Sequence, residues 1–86
     1  GVLSARNYPN PFNPTTKIYY NVPVESKVRL SIFDATGREV AVLVNEVRPE
    51  GSHLVEFDGS ALSSGVYFYR LETPSNVLTN KMILLK

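Results

Sequence analysis

From Thr16 onward the apolar residues of this chain alternate with polar ones and do not recur at helical spacing. Ile18, Tyr20 and Val22 fall on one side and Lys17, Tyr19 and Asn21 on the other, the period of two of a half-buried strand, which Pro23 ends. The next run sets Val28, Leu30 and Ile32 against Lys27, Arg29 and Ser31. Asp34-Ala35-Thr36-Gly37 then reads as a hairpin turn. The aspartate carboxylate can accept from the backbone two residues on, and glycine supplies the positive φ that closes the turn as a bulge. Arg38 to Val44 is the returning strand, with Val40 and either Val42 or Leu43 facing inward. Val42-Leu43-Val44 has no single phase, which predicts an irregularity or a strand shielded on both faces.

Asn45 to Gly51 is polar, contains Pro49 and reads as a loop. His53, Val55 and Phe57 then alternate with Ser52, Leu54 and Glu56, and Asp58-Gly59 marks another turn. Ser60 to Ser64 is a short connection, and Gly65 opens an aromatic and β-branched run from Val66 to Leu71. Thr73-Pro74-Ser75-Asn76 is a turn cluster, and Val77 or Leu78 to Leu85 is the last strand. No segment carries helix caps around a periodic run. About six or seven strands at intervals of roughly 10–12 residues define an all-β chain, a sandwich or a small barrel. Its expected core is Ile18, Tyr20, Val28, Leu30, Ile32, Val40, Val55, Phe57, Tyr67, Tyr69, Leu71, Met82 and Leu84.

The first residues follow another rule. Asn7-Tyr8-Pro9-Asn10-Pro11-Phe12-Asn13-Pro14 has prolines at positions 9, 11 and 14. Proline has no N–H to give to a sheet, so this segment cannot be a central strand. It is expected to run extended, with Tyr8 and Phe12 packed on the sandwich, clasping an open end or edge. The chain thus divides into a proline-rich lead-in, residues 1–15, and a β-sandwich, residues 16–86, forming one domain.

A chain of 86 residues holds one small core. Its hydrophobic fraction of 43% is that of a globular protein. The net charge of +1, with acids and bases interleaved, argues against a dedicated nucleic-acid or anionic-membrane surface. The chain contains no cysteine, which removes disulfides and thiolate metal sites and is compatible with an exported protein. Its longest apolar run, Met82 to Leu85, is strand length and far short of a membrane span. Gly1 to Arg6 lacks the plan of a signal peptide, so an export signal is expected upstream in a parent protein.

Reactive groups are few. The single histidine, His53, lies in phase with Val55 and Phe57 and reads as a core or sheet-edge residue rather than a general base. Ser52, Ser60, Ser63 and Ser64 are not set in a nucleophile elbow. Asp34, Asp58 and Glu56 are the oxygen ligands available for calcium, yet both aspartates belong to turn signals. Tyr19, Phe33 and Phe68 are out of phase with the core and are the aromatics available to stack on a sugar. No catalytic, cofactor or metal residue is assigned.

These residues also carry a resemblance. Asn7 to Thr16, Ile18-Tyr19-Tyr20, Leu30 to Asp34 with Gly37-Arg38-Glu39-Val40, Gly51-Ser52-His53 with Phe57-Asp58-Gly59, Leu62 to Leu71 and Lys81 to Lys86 occur in order over nearly the whole chain. Together they resemble the type A C-terminal sorting domains of the bacterial type IX secretion system. Those domains are related to the Ig-like domain of flagellar hook-capping proteins. Phe57 stands where the family commonly has Trp, which keeps an aromatic anchor.

The resemblance implies an Ig-like antiparallel β-sandwich at the C-terminus of a larger secreted protein. It implies a non-catalytic sorting signal, recognised by outer-membrane secretion machinery for export and for surface anchoring or release. The implied partners are that machinery and the cargo domain upstream. The implied location is the cell surface or exterior of a Bacteroidetes-like bacterium, with the periplasm crossed in transit. The candidate recognition residues are Gly65, Val66, Tyr67, Lys81, Met82, Ile83, Leu84, Leu85 and Lys86, and Asn7 to Pro14 is the signature segment. The last strand runs into Lys86 without a linker, as a terminal domain would. Two other roles fit the bare sandwich: a structural or assembly spacer, and a carbohydrate-binding module of a secreted hydrolase.

Overall fold

Alternating sequence becomes seven strands in the computed structural model, which describes residues 2–86. They are β1 (Ser4–Tyr8), β2 (Thr15–Val22), β3 (Ser26–Asp34), β4 (Glu39–Arg48), β5 (Gly51–Asp58), β6 (Gly65–Glu72) and β7 (Val77–Leu84). Two antiparallel sheets form, one ordered β1-β2-β5 and the other β4-β3-β6-β7. The fold is an Ig-like β-sandwich in which the fourth strand stays beside the third.

Period-two burial explains the layering. Ile18, Tyr20 and Val22 from one sheet meet Val28, Leu30, Ile32, Tyr69, Leu71, Met82 and Leu84 from the other, all buried. Each large apolar side chain so enclosed contributes roughly 1.5–3 kcal/mol. Val40 and Val55, expected inside, are only partly buried. Tyr67, at the start of β6, donates its hydroxyl to the Ser63 carbonyl four residues upstream at 2.7 Å, the tyrosine-corner geometry of Ig-like folds.

The Asp34 turn forms as its chemistry requires. Gly37 has φ +89°, and the Asp34 carboxylate accepts from the backbone N–H groups of Thr36 and Arg38 at 2.9 and 3.0 Å. In β4 the unphased triplet is an irregularity: the pairing with β3 slips between Leu30 and Ser31 and again between Ile32 and Phe33, so Leu43 and Val40 are skipped. The inward residue of the triplet is Val44; Val42 is exposed.

The expected loop from Asn45 to Gly51 is corrected. Strand β4 continues to Arg48 because Asn45, Glu46, Val47 and Arg48 pair with Arg29, Val28, Lys27 and Ser26 at the outer rim, where polar side chains reach water. Only Pro49 and Glu50 link the sheets there.

Extended conformation at the N-terminus takes two forms. Residues up to Tyr8 pair with β2 as an edge strand, and the prolines begin where that strand stops. Tyr8 is 69% exposed, against the expectation that it packs inward, because it alternates with the inward-leaning Asn7 on β1. Phe12 is 1% exposed. Its ring meets Phe57 edge-on at 6.1 Å, closing the end of the core.

Candidate recognition surface

The proline-rich segment and the C-terminal strand form a single unit. Strand β7 is the edge of its sheet, so one side of its backbone needs partners. Phe12 supplies them in a parallel bridge: its N–H donates to the Ile83 carbonyl, and its carbonyl accepts from the Leu85 N–H, both at 2.9 Å. Asn10 imitates one further peptide group. Its Oδ1 accepts from the Ile83 N–H at 3.0 Å, and its Nδ2 donates to the Lys81 carbonyl at 3.4 Å. Farther along, Asn80 Nδ2 donates to the Ala5 carbonyl of β1 at 2.9 Å.

The rest of the signature shapes this clasp. Its X–Pro bonds, Tyr8-Pro9, Asn10-Pro11 and Asn13-Pro14, are cis. Thr16 Oγ1 donates to the Pro9 carbonyl at 2.8 Å, and Asn7 Nδ2 donates to Thr16 Oγ1 at 3.2 Å. The Gly59 N–H donates to the Pro14 carbonyl at 2.8 Å. Gly59 is a glycine for want of room: a Cβ there would lie 3.1 Å from Leu84 Cδ2 and 3.3 Å from Phe12 Cε2. At the far end Lys86 donates its N–H to Ser64 Oγ at 2.9 Å and its ammonium to the Ser60 carbonyl.

The candidate recognition residues therefore divide by face. Tyr67, Met82 and Leu84 are buried. Val66 and Ile83 are opposite each other on β6 and β7, and Phe68 is opposite Lys81; these four point outward. Leu85 is 54% exposed, and Lys86 is exposed beside it. Gly65 pairs with Leu84 at φ +155°, a conformation that favours glycine.

Elsewhere the reactive inventory stays apart. His53 Nε2 lies 2.8 Å from the Pro49 carbonyl, and its ring stacks on Tyr20 with centroids 5.2 Å apart. The Asp34 carboxyl is held below its ordinary value by hydrogen bonds, first from the Thr36 hydroxyl and then from the Arg38 N–H. The Ser60 hydroxyl, then the Ser60 N–H, does the same for Asp58, with Lys86 adding attraction. Both carboxylates are thus committed to their turns. Among the described residues no three His, Cys, Asp or Glu side chains converge as a metal site.

A shallow groove of about 440 Å³ runs over Ser4, Arg6, Tyr19, Asn21, Ser52 and Leu54. Its outward aromatic, Tyr19, has the Arg6 guanidinium 4.5 Å over its ring, and the other two rings that line it, Tyr20 and His53, stack on each other. Phe33 is covered in the same way by Arg70 at 4.4 Å. Among the described residues no helix is long and apolar enough to cross a membrane.

The two sheets, their topology and the sealed C-terminal strand define an Ig-like β-sandwich domain. Residues 6–85 match the family model described as "Secretion system C-terminal sorting domain", and the chain belongs to that family. Its function is that of a C-terminal sorting signal for type IX secretion, which makes the protein that carries it a secreted or cell-surface one. No curated protein matches the sequence. Among solved structures the chain is similar to part of PorZ, described as an essential bacterial surface component of the type IX secretion system of Porphyromonas gingivalis. That match has a TM-score of 0.68 at 19% identity and covers 96% of this chain and 12% of PorZ. This chain therefore spans about an eighth of that protein, and at such identity the likeness is one of fold.

Proposed function

We propose that the domain is a non-catalytic element read by outer-membrane secretion machinery through the outward side of β6 and β7. Val66, Lys81, Ile83, Leu85 and Lys86 make the contacts. Gly65, Tyr67, Met82, Leu84 and the segment Asn7 to Pro14 act by holding that surface in place. The cargo domain lies upstream in the same protein, and the domain passes through the periplasm before the cargo is anchored or released. One observation carries this reading: the signature segment is hydrogen-bonded onto the C-terminal strand by Asn10 and Phe12, which fixes the outward side chains of β7 on a rigid edge. A partner can then read them without first ordering the strand.

The test is to fuse residues 1–86 to the C-terminus of a foreign periplasmic protein in a bacterium with a type IX system. The fusion is expected outside the cell. Ile83→Asp with Lys81→Glu is expected to hold it in the periplasm while the domain stays folded. A fusion that remains periplasmic, together with native cargo that is secreted normally without Lys81 to Lys86, overturns the proposal.

A further inference from the structure

Sheet edges are the natural places for another chain to add a strand, and this sandwich leaves one of its four edges unprotected. The β7 edge is occupied by Asn10 and Phe12. The β1 edge is short, stops at Pro9 and gives its Ala5 carbonyl to Asn80. The β4 edge is broken by two register slips, which twist it away from flat pairing. The β5 edge has none of these devices. It pairs with β2 through eight residues without a slip, from Thr15 opposite Asp58 to Val22 opposite Gly51. It contains no proline, lysine or arginine.

Which groups are free follows from the ladder. The Gly59 N–H donates to Pro14 O, one step beyond the pair Thr15–Asp58. In an antiparallel pair the bonded positions recur every second residue. The odd-numbered residues of β5 therefore bond β2, and the N–H and C=O groups of Ser52, Leu54 and Glu56 point outward. The same parity aims Ala5 of β1 outward on the opposite side, where Asn80 meets it. Among the described residues no turn, loop or side-chain hydrogen bond reaches the backbone of Ser52, Leu54 or Glu56.

We propose that the outer edge of β5 is a strand-addition site for an extended segment of another protein, bearing basic side chains against Glu56 and an apolar one against Leu54. Charge selects this occupant. Glu50 and Glu56 make the strand and its entry acidic; Glu56 stands opposite Lys17 of β2 but takes part in none of the ion pairs among the described residues, which leaves its carboxylate open to a basic side chain on the edge side. A second copy paired antiparallel about Leu54 would set Asp58 of each copy against Glu50 of the other. Leu54 is 56% exposed beside Tyr19, so an alternating strand finds an apolar contact on the outer face. The inference is independent of the sorting role, which rests on the opposite side of the sandwich.

The experiment titrates the isotope-labelled chain with a synthetic strand-length peptide alternating lysine and valine, with an alternating glutamate and valine peptide as comparison. Amide exchange at Ser52, Leu54 and Glu56 is expected to slow by about tenfold with the lysine peptide and to be unchanged with the glutamate peptide. Leu54→Pro removes an outward N–H without removing a bond to β2, and is expected to abolish the effect. Glu56→Lys, which leaves the backbone intact, is expected to exchange the preference between the two peptides. Protection that falls on β4 amides, that is equal for both peptides, or that the lysine peptide still gives in Glu56→Lys overturns the proposal. So does protection of the same amides without peptide as the chain is concentrated, which would assign the edge to a second copy.

Discussion

Between β1 and β7 the sandwich is stitched shut by Asn10, Phe12 and Asn80, whereas between β4 and β5 two residues, Pro49 and Glu50, carry the chain from one sheet to the other. Both sides present the same backbone problem, a strand with half of its polar groups unpaired. On the β7 side the answer is a piece of the chain itself, held by side-chain and backbone bonds around a buried phenylalanine. On the other side β4 is distorted and β5 is left straight. The contrast teaches what the proline-rich signature segment is for: Asn10 and Phe12 bond β7, and Gly59 makes room for the Phe12 ring.

The contrast can be broken by substitution. Phe12→Ala empties the plug between Phe57, Gly59 and Leu84, and should cost about 3–5 kcal/mol in chemical denaturation. If it costs under about 1 kcal/mol, the closed side is not a structural unit. Asn10→Ala leaves the Ile83 N–H without its acceptor, and should cost about 1 kcal/mol and speed exchange of that amide.

Acid titration sharpens the comparison further. Hydrogen bonds from Thr36 and Arg38 lower the Asp34 carboxyl in the fold, as those from Ser60 lower Asp58. Each turn is therefore fully supported above the unfolded carboxylate value of about 3.9, and the support is lost as pH falls through the lower folded value. Asp34→Ala and Asp58→Ala should each flatten the acid limb of stability against pH and leave its slope above pH ~6 unchanged. On the open side, Val47→Lys at an exposed position of β4 should change stability by no more than about 0.5 kcal/mol.

Much of this fold is legible in the sequence alone. Alternation located β2, β3 and β5, composition and turn clusters bounded β6 and β7, and Asp34 with Gly37 specified a hairpin, because period and turn chemistry are local properties. The unphased Val42-Leu43-Val44 announced an irregularity, and it became a slip in register. The extension of β4 to Arg48 was not legible, since its polar residues are held by pairing with β3 at a rim rather than by burial. Nor was the opposite fate of Tyr8 and Phe12: both are aromatics beside prolines, and it is the phase of β1 that turns Tyr8 outward and the bridge to β7 that turns Phe12 inward. Sequence also named the two segments of the candidate surface and expected the first to clasp an end or edge, but it did not say that the edge is β7, because that contact joins opposite ends of the chain.

That contact also sets an order of events. Asn10 and Ile83 are 73 positions apart, so the bond between them closes a loop of almost the entire chain. A ribosome delivers Asn10 and Phe12 early, and they must wait, solvated, until β7 has emerged. Pairings of such range belong to folds that form in milliseconds to seconds rather than microseconds. The clasp is therefore a completion check: the domain locks only when its last strand has been made.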